Sequence, residues 1–191
     1  MIIKENLIFK YDNIISSLEC DTIFNYYKTN HSNGINDIHI LPWFEKNTLY
    51  WNFLKNTEIK NEIGKCREII TNLIKKSYGV NIFPNVTTLV MWKEGKSMAI
   101  HKDNGYDNDK DILHMRTYTA VMYINDEFEG GETIIMKENS NEIEYECIPQ
   151  KGSVLIFKSD ESCLHGVKMI EKGERLTLSM WFTLDKQYLE N

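Results

Sequence analysis

The chain of 191 residues is poor in cysteine and proline and carries no excess of positive charge. Its four cysteines are scattered, and none stands in a Cys-x-x-Cys motif, which argues against a thiolate metal site or a dense disulfide framework. The formal net charge of −6 offers no general electrostatic footprint for nucleic acid. We therefore expect reduced thiols and no nucleic-acid partner.

Long hydrophobic runs are also missing. No apolar stretch approaches the length of a membrane span, and Met1 to Asn6 contain no apolar core of a secretory signal. These absences predict no membrane partner and a cytoplasmic location, while the oligomeric state stays open. Hydrophobic residues make up 42% of the chain and aromatic residues 12%, which is typical of a globular protein with one sizeable core.

The first eighty residues contain two helical patterns. Ser16 to Lys28 combines a serine N-cap with spaced apolar residues. Apolar residues then recur at steps of three and four from about Thr57 to Tyr78, and the pattern ends before Gly79. Both helices are interpreted as support for a sheet.

After Gly79 the pattern changes to short runs rich in β-branched and aromatic residues, separated by turn residues. An all-β core with helical support, α+β overall, is therefore predicted, with the form of a double-stranded β-helix (a cupin-like jelly roll). We expect a single domain over 1–191, with helical support over about 1–80 and the β core over about 83–185. The predicted strands are Val86–Trp92, Ser97–Asp103, Thr117–Ile124, Glu132–Met136, Ile143–Ile148, Ser153–Phe157, Val167–Ile170 and Arg175–Leu184.

One pair of residues within these predicted strands has the spacing of metal ligands. His101 and Asp103 stand two residues apart, and residues i and i+2 of a strand point to the same face. His165 begins a distant strand-like run and completes a set of two imidazoles and one carboxylate. Such a set, with open positions opposite, favours non-haem Fe(II) and oxygen chemistry. The other histidines (His31, His39 and His114) have no partners at ligand spacing.

Arg175 comes ten residues after His165, at the start of the last strand pattern. Alternation places Arg175 and Thr177 on one face of that strand, and an arginine facing the inside of a barrel needs an anion such as a carboxylate. The simpler alternative is an edge strand with a solvated polar face. Tyr123 could donate its hydroxyl to the same anion, although a single aromatic residue is more often part of a core. The acidic segment from Asn104 to Asp111 is a candidate lid or a plain surface loop.

Two segments of the chain contain several motifs at fixed spacings: His101–Asn104 with Arg116–Thr133, and His165–Lys168 with Lys172, Gly173, Arg175 and Trp181–Asp185. They resemble the prolyl hydroxylase branch of the Fe(II)/2-oxoglutarate oxygenases, and the second is especially similar to the prolyl 3-hydroxylase (leprecan) catalytic domain. The resemblance covers roughly residues 86–185. It implies that His101, Asp103 and His165 bind iron. It also implies that Arg175 binds the distal carboxylate of 2-oxoglutarate, with Tyr123 and Thr177 as candidate hydroxyl partners.

The activity implied by this resemblance is hydroxylation of an unactivated C–H bond, most directly of a prolyl residue in a protein or peptide. Fe(II), 2-oxoglutarate and O2 would be required, with ascorbate as a candidate reductant, and succinate and CO2 would be released. Two alternatives remain: the same chemistry on a free amino acid or pathway metabolite, and a non-catalytic cupin-like metal-binding jelly roll. Where many prolyl hydroxylases have Tyr-x-x-Gly-x-x-Tyr, this chain has Trp92, Gly95 and Met98, and Met98 cannot hydrogen-bond as tyrosine does.

Overall fold

The structure is a computed structural model, and it describes residues 2–4, 7–32, 47–105 and 112–190. The helices within these ranges are α1 Ser17–Ser32 and α2 Thr57–Tyr78, with short 3-10 helices at Trp51–Phe53, Ile112–Met115, Glu161–Cys163 and Lys186–Tyr188. The strands are β1 Ile2–Lys4, β2 Ile8–Tyr11, β3 Thr48–Tyr50, β4 Phe83–Lys93, β5 Met98–His101, β6 Tyr118–Tyr123, β7 Glu129–Gly130, β8 Thr133–Met136, β9 Ile143–Cys147, β10 Val154–Lys158, β11 His165–Val167, β12 Ile170–Lys172 and β13 Glu174–Thr183.

Two antiparallel sheets make up the β core. The major sheet has the order β1-β2-β10-β6-β13-β4-β3, and the minor sheet has the order β5-β11-β8-β9. Strands β7 and β12 form a separate two-stranded ribbon. Residues of both sheets line one cavity, so the sheets face each other as the predicted double-stranded β-helix requires.

Strand β13 lies near the middle of the major sheet and separates the core from the cavity. Leu176, Leu178 and Met180 join the hydrophobic cluster that also contains the apolar stripe of α2. Arg175 and Thr177 lie on the opposite face and line the cavity. The alternation predicted from the sequence is therefore confirmed, and helix packing stabilises one face of the sheet while the other face is kept for polar groups.

Both helices begin with ordinary N-capping chemistry, and α2 also ends with a typical C-cap. The Ser16 side chain accepts from the backbone N–H of Glu19 (3.3 Å), and the Glu19 carboxylate accepts from the Ser16 N–H (2.8 Å), which is a capping box. The Asn56 side chain accepts from the Ile59 N–H at the start of α2. Gly79 ends α2 with φ +67°, the left-handed conformation that glycine adopts without strain.

The first eighty residues contain more than helical support, because β1, β2 and β3 also pair into the major sheet. Runs of three or four residues are too short to show a strand period, which explains why the sequence did not reveal them. The division of the chain into one supporting part and one core stays a prediction.

Two predicted strand boundaries in the β core were wrong. The strand expected to reach Asp103 ends at His101, because the next residues bend toward the major sheet. The strand expected over 167–170 is instead the end of β11 and the start of β12. Between them the Lys168 N–H donates to the Glu132 carbonyl, which turns the chain.

Some features named in the sequence lie outside the described residues. These include most of the candidate lid (residues 106–111) and His39, and the side chain of His31 is likewise not described. Among the described helices, none is both long and apolar enough to cross a membrane.

Candidate active site

Antiparallel pairing of β5 with β11 brings the two predicted histidine ligands together. His101 and His165 are direct cross-strand partners, and their ring centroids lie 4.4 Å apart. The Asp103 carboxylate faces both rings, with its Oδ1 3.6 Å from Nε2 of His101 and its Oδ2 3.3 Å from Nε2 of His165. The three ligand atoms lie within 4.8 Å of one another. The structure thus places the whole predicted ligand set around one point.

Backbone carbonyls fix the direction in which each imidazole presents its nitrogen atoms. Nδ1 of His101 is 2.9 Å from the Ala99 carbonyl, and Nδ1 of His165 is 3.0 Å from the Cys163 carbonyl. Because a carbonyl can only accept, each Nδ1 carries the proton and each Nε2 turns toward Asp103 as the donor atom for a metal. The residues present therefore fit a divalent metal ion.

Asp103 reaches this position because its backbone is tied to the opposite sheet. The backbone N–H groups of Asp103 and Asn104 both donate to the Ser159 carbonyl, at 3.0 and 2.9 Å, just beyond the end of β10. Burial acts to raise the pKa of the Asp103 carboxyl, but hydrogen bonds from His101, His165 and Thr119 outweigh it and hold that pKa well below its usual range. The carboxylate stays ionised in a buried site, as a metal ligand must be.

The same contact with Asp103 raises the pKa of His101. Burial acts to lower its pKa, yet the Asp103 carboxylate and the Ala99 carbonyl together raise that pKa above the ordinary value. The cluster thus favours a positive charge beside the carboxylate, and a divalent cation supplies one without protonating the ligands.

Arg175 is the second unusual charge of the cavity, with 2% of its surface exposed. Its Nη2 donates to the Thr133 Oγ1 (3.1 Å), its Nε has no hydrogen-bond partner, and no carboxylate of the described residues forms an ion pair with it. Burial lowers the pKa of this guanidinium. A buried cation in this state requires an anion, and a carboxylate of a co-substrate fits.

The Thr133 hydroxyl contacts both Arg175 and Tyr123, two of the residues predicted to bind the anion. Its Oγ1 accepts from the Tyr123 hydroxyl (2.8 Å) as well as from Arg175, so its own proton is left to donate elsewhere. Thr133 lines the cavity, whereas Tyr123 is fully buried behind it, with its ring 5.3 Å from the Arg175 guanidinium carbon. The sequence analysis missed Thr133, although it lies two residues before Ile135 in a predicted strand, on the same buried face.

Thr177, the third residue assigned to the anion, lines the cavity beside Arg175 on β13. Its Oγ1 lies 3.4 Å from Ser179 Oγ, so its hydroxyl contacts a residue of its own strand.

The cavity that contains the ligand set and Arg175 has a volume of about 390 Å³. Its wall also includes Trp181, whose ring carries the Arg116 guanidinium 4.1 Å above its centroid. Met98 stands at the margin, 39% exposed, where the sequence departs from the tyrosine of many prolyl hydroxylases. The space accommodates a small dicarboxylate and leaves an apolar and cationic wall for a further molecule.

Comparison with known families agrees with this geometry. Residues 86–183, just over half of the chain, match the family model of the 2OG-Fe(II) oxygenase superfamily. The chain belongs to this family, and His101, Asp103 and His165 form a group that could hold the Fe(II) of the family's name. The recognition made from the sequence is confirmed.

Among curated proteins, human prolyl 3-hydroxylase 2 is 40% identical over 75 residues, which are 39% of this chain and 11% of that protein. Chicken prolyl 3-hydroxylase 1 is 37% identical over 106 residues, which are 51% of this chain and 15% of that protein. The chain thus spans only a small part of the length of these relatives.

Solved structures with the same fold include prolyl hydroxylases. The viral collagen prolyl hydroxylase vCPH of Paramecium Bursaria Chlorella virus-1, in its 2OG complex, has a TM-score of 0.68 at 19% identity and covers 94% of this chain and 97% of its own. A Trichoplax adhaerens prolyl hydroxylase in complex with a hypoxia inducible factor peptide fragment has a TM-score of 0.71 at 16% identity, with 96% and 86% covered. The predicted double-stranded β-helix is confirmed.

Proposed function

We propose that this protein hydroxylates a prolyl residue of a peptide or protein, with Fe(II) held by His101, Asp103 and His165 and with 2-oxoglutarate held at Arg175. The observation that carries the proposal is one shared cavity in which a carboxylate-imidazole cluster faces a buried arginine that has no carboxylate partner among the described residues. A non-catalytic metal-binding jelly roll would need no such cation.

The roles of the residues follow from their contacts. Nε2 of each histidine and the Asp103 carboxylate would bind the metal, and their fixed orientation removes the cost of arranging them on binding. Arg175 would bind the distal carboxylate of 2-oxoglutarate through its unpaired N–H groups, and the Thr133 hydroxyl would donate to the same carboxylate. Tyr123 would act from behind, since its hydroxyl holds the Thr133 oxygen. Thr177 remains a candidate neighbour of the carboxylate.

When bound there, Fe(II) with 2-oxoglutarate and O2 supplies the oxidising power for C–H hydroxylation, with succinate and CO2 as the co-products. The protein's part is to place the substrate carbon against the open side of the ligand set and to exclude bulk water. Strand β13 contributes the wall beside this position, through Thr177, Ser179 and Trp181.

The peptide substrate is supported by two observations on related proteins. The curated relatives are named prolyl 3-hydroxylases, and one solved structure of the same fold contains a peptide fragment. The cavity opens beside exposed residues of β5, so a chain could cross its margin while one side chain enters.

Substrate profiling of the Fe(II)-loaded protein tests this proposal. Succinate release and product mass are recorded for proline-containing peptides and, in parallel, for free proline and other free amino acids. We expect peptide-dependent succinate release and a product that has gained one oxygen atom. Turnover with free amino acids alone would replace the peptide by a small metabolite. Absence of succinate under all conditions would favour the non-catalytic jelly roll.

A further inference from the structure

The Asp103 carboxylate has two oxygen atoms in different surroundings. Oδ2 accepts a hydrogen bond from the Thr119 hydroxyl (2.6 Å) and lies 3.3 Å from Nε2 of His165. Oδ1 lies 3.6 Å from Nε2 of His101, which is longer than an ordinary hydrogen bond. The chain therefore holds the carboxylate firmly at Oδ2, whereas Oδ1 has only a longer contact with a histidine.

Counting donors fixes the direction of a short chain of hydroxyl groups behind Asp103. A threonine hydroxyl has one proton, and that of Thr119 is used on the carboxylate, which can only accept. Ser159 Oγ lies 2.9 Å from Thr119 Oγ1, so the serine must be the donor of this second bond. The chain therefore runs from Ser159 through Thr119 to Oδ2 of Asp103.

The same serine also fixes the backbone of the ligand. The Ser159 carbonyl accepts from the backbone N–H groups of Asp103 and Asn104. Both hydroxyl residues are fully buried, and they lie on adjacent paired strands or directly beyond them, with Phe157 opposite Thr119. The backbone and the side chain of Asp103 are therefore held by one group of contacts.

We propose that Thr119 is a positioning residue that, supported by Ser159, holds the Asp103 carboxylate by its Oδ2 in the orientation in which it faces both histidines. Without the Thr119 hydroxyl, the carboxylate could rotate away from the two imidazoles. This inference rests on the proposed metal site and adds to it the residues that orient its carboxylate ligand.

Cobalt(II) titration of the purified protein without substrate tests the inference, since the intensity of the Co(II) ligand-field absorption reports coordination number and the titration gives affinity. Thr119→Val keeps the shape of the side chain and removes the hydroxyl. We expect a roughly 10- to 100-fold loss of Co(II) affinity, the usual effect of removing a partner of a metal ligand, and a changed absorption spectrum. Thr119→Ser should restore both, and Ser159→Ala should change both in the same direction by less.

The matched control is Thr88→Val. Thr88 is buried on β4, two strands away from β6 in the major sheet, and its hydroxyl reaches the Ser179 carbonyl (3.4 Å) and no metal ligand. This variant should bind Co(II) as the wild type does. Wild-type affinity and spectrum in both Thr119→Val and Ser159→Ala would overturn the inference.

A structure of the metal-bound wild type gives an answer that does not depend on any variant folding. The inference expects Asp103 on the metal with its Oδ2 still within hydrogen-bond distance of Thr119, and a metal-bound Asp103 whose carboxylate has left Thr119 would refute it. Failure of the proposed function is a separate outcome, because the wild type itself would then bind no Co(II) at His101, Asp103 and His165.

Discussion

Arg67 and Arg175 are both buried in this protein, and they differ in how their charge is balanced. Arg67 of α2 is 8% exposed, lies 3.5 Å above the centre of the Trp51 ring, and pairs with the Glu190 carboxylate at 3.2 Å. Arg175 is 2% exposed and has a threonine hydroxyl as its hydrogen-bond partner, with no carboxylate among the described residues. The first charge is balanced within the chain and joins the C-terminal segment to α2. The second is left for a ligand.

The comparison separates a buried charge that stabilises the fold from one that binds a ligand. Removing a cation that has a buried partner leaves a charge stranded, whereas removing a cation that awaits a ligand relieves the empty protein of an unbalanced charge. The Arg67 cluster should therefore respond in unfolding experiments and the Arg175 cluster in binding experiments. The same contrast extends to the carboxylates, since Glu190 faces a cation of the chain and Asp103 faces two metal-binding imidazoles.

The largest expected effect is on the metal-binding side of the cavity. Asp103→Ala removes the carboxylate that faces both histidines, so we expect loss of Fe(II) binding and of 2-oxoglutarate turnover with the fold retained. Calorimetric metal titration and succinate release measure these effects, and circular dichroism checks the fold. His101→Ala should behave alike. Retained turnover in either variant would refute the metal assignment.

The next effect concerns stability. Arg67→Met strands the Glu190 carboxylate against β4, where it also accepts from the Thr87 N–H (3.2 Å). We expect a loss of about 3–5 kcal/mol in the free energy of unfolding, with 2-oxoglutarate affinity unchanged. Urea unfolding and ligand titration on one sample separate the two quantities. In the double variant with Glu190→Met, most of the loss should disappear, and an equal or larger loss would mean that the pair is not the cause.

Arg175→Ala is the counterpart of the Arg67 variant. Losing one charged hydrogen-bonding partner should weaken 2-oxoglutarate binding by about 1.5–3 kcal/mol, roughly 10- to 150-fold, while Fe(II) affinity stays the same. Titration of 2-oxoglutarate into the anaerobic Fe(II) protein gives the affinity. Unchanged co-substrate affinity would remove Arg175 from this role and with it the contrast between the two arginines.

The smallest effect is a pH dependence of the structural pair. Burial raises the pKa of Glu190 above its ordinary value of 4.5, although Arg67 acts to lower it. A carboxyl with a raised pKa in the folded state contributes stability that is fully present below the unfolded value and is lost as the pH rises through the folded value. From about pH 4 toward neutrality, the stability of the wild type relative to Glu190→Gln should therefore fall. A relative stability that rises over this range would contradict the direction.

The parts of the site that the sequence revealed are those with local signals. His101, Asp103 and His165 have the spacing of a metal site with two histidines and one carboxylate. Strand alternation predicted that Arg175 lies on the cavity face, where the structure places it. Even there the reason was only partly right. Asp103 meets the histidines because its backbone bonds to Ser159 in the other sheet, and not because it continues the strand.

The parts that the sequence did not reveal depend on which strands become neighbours. Thr133 contacts Arg175 across the cavity, and Thr119 contacts Ser159 because β6 pairs with β10. Register between distant strands is set by packing of the whole sheet and leaves no local pattern. The Arg67–Glu190 pair joins residues 123 positions apart in the chain, so neither composition nor periodicity could predict it.

The most direct test of the central claim is the visible absorption of the anaerobic Fe(II) protein on addition of 2-oxoglutarate. Chelation of the co-substrate at iron produces a charge-transfer band. We predict that the band appears in the wild type, is absent in Asp103→Ala, and needs a higher 2-oxoglutarate concentration in Arg175→Ala than in Arg67→Met. Absence of the band from the wild type, or equal concentration dependence in the two arginine variants, would contradict the account.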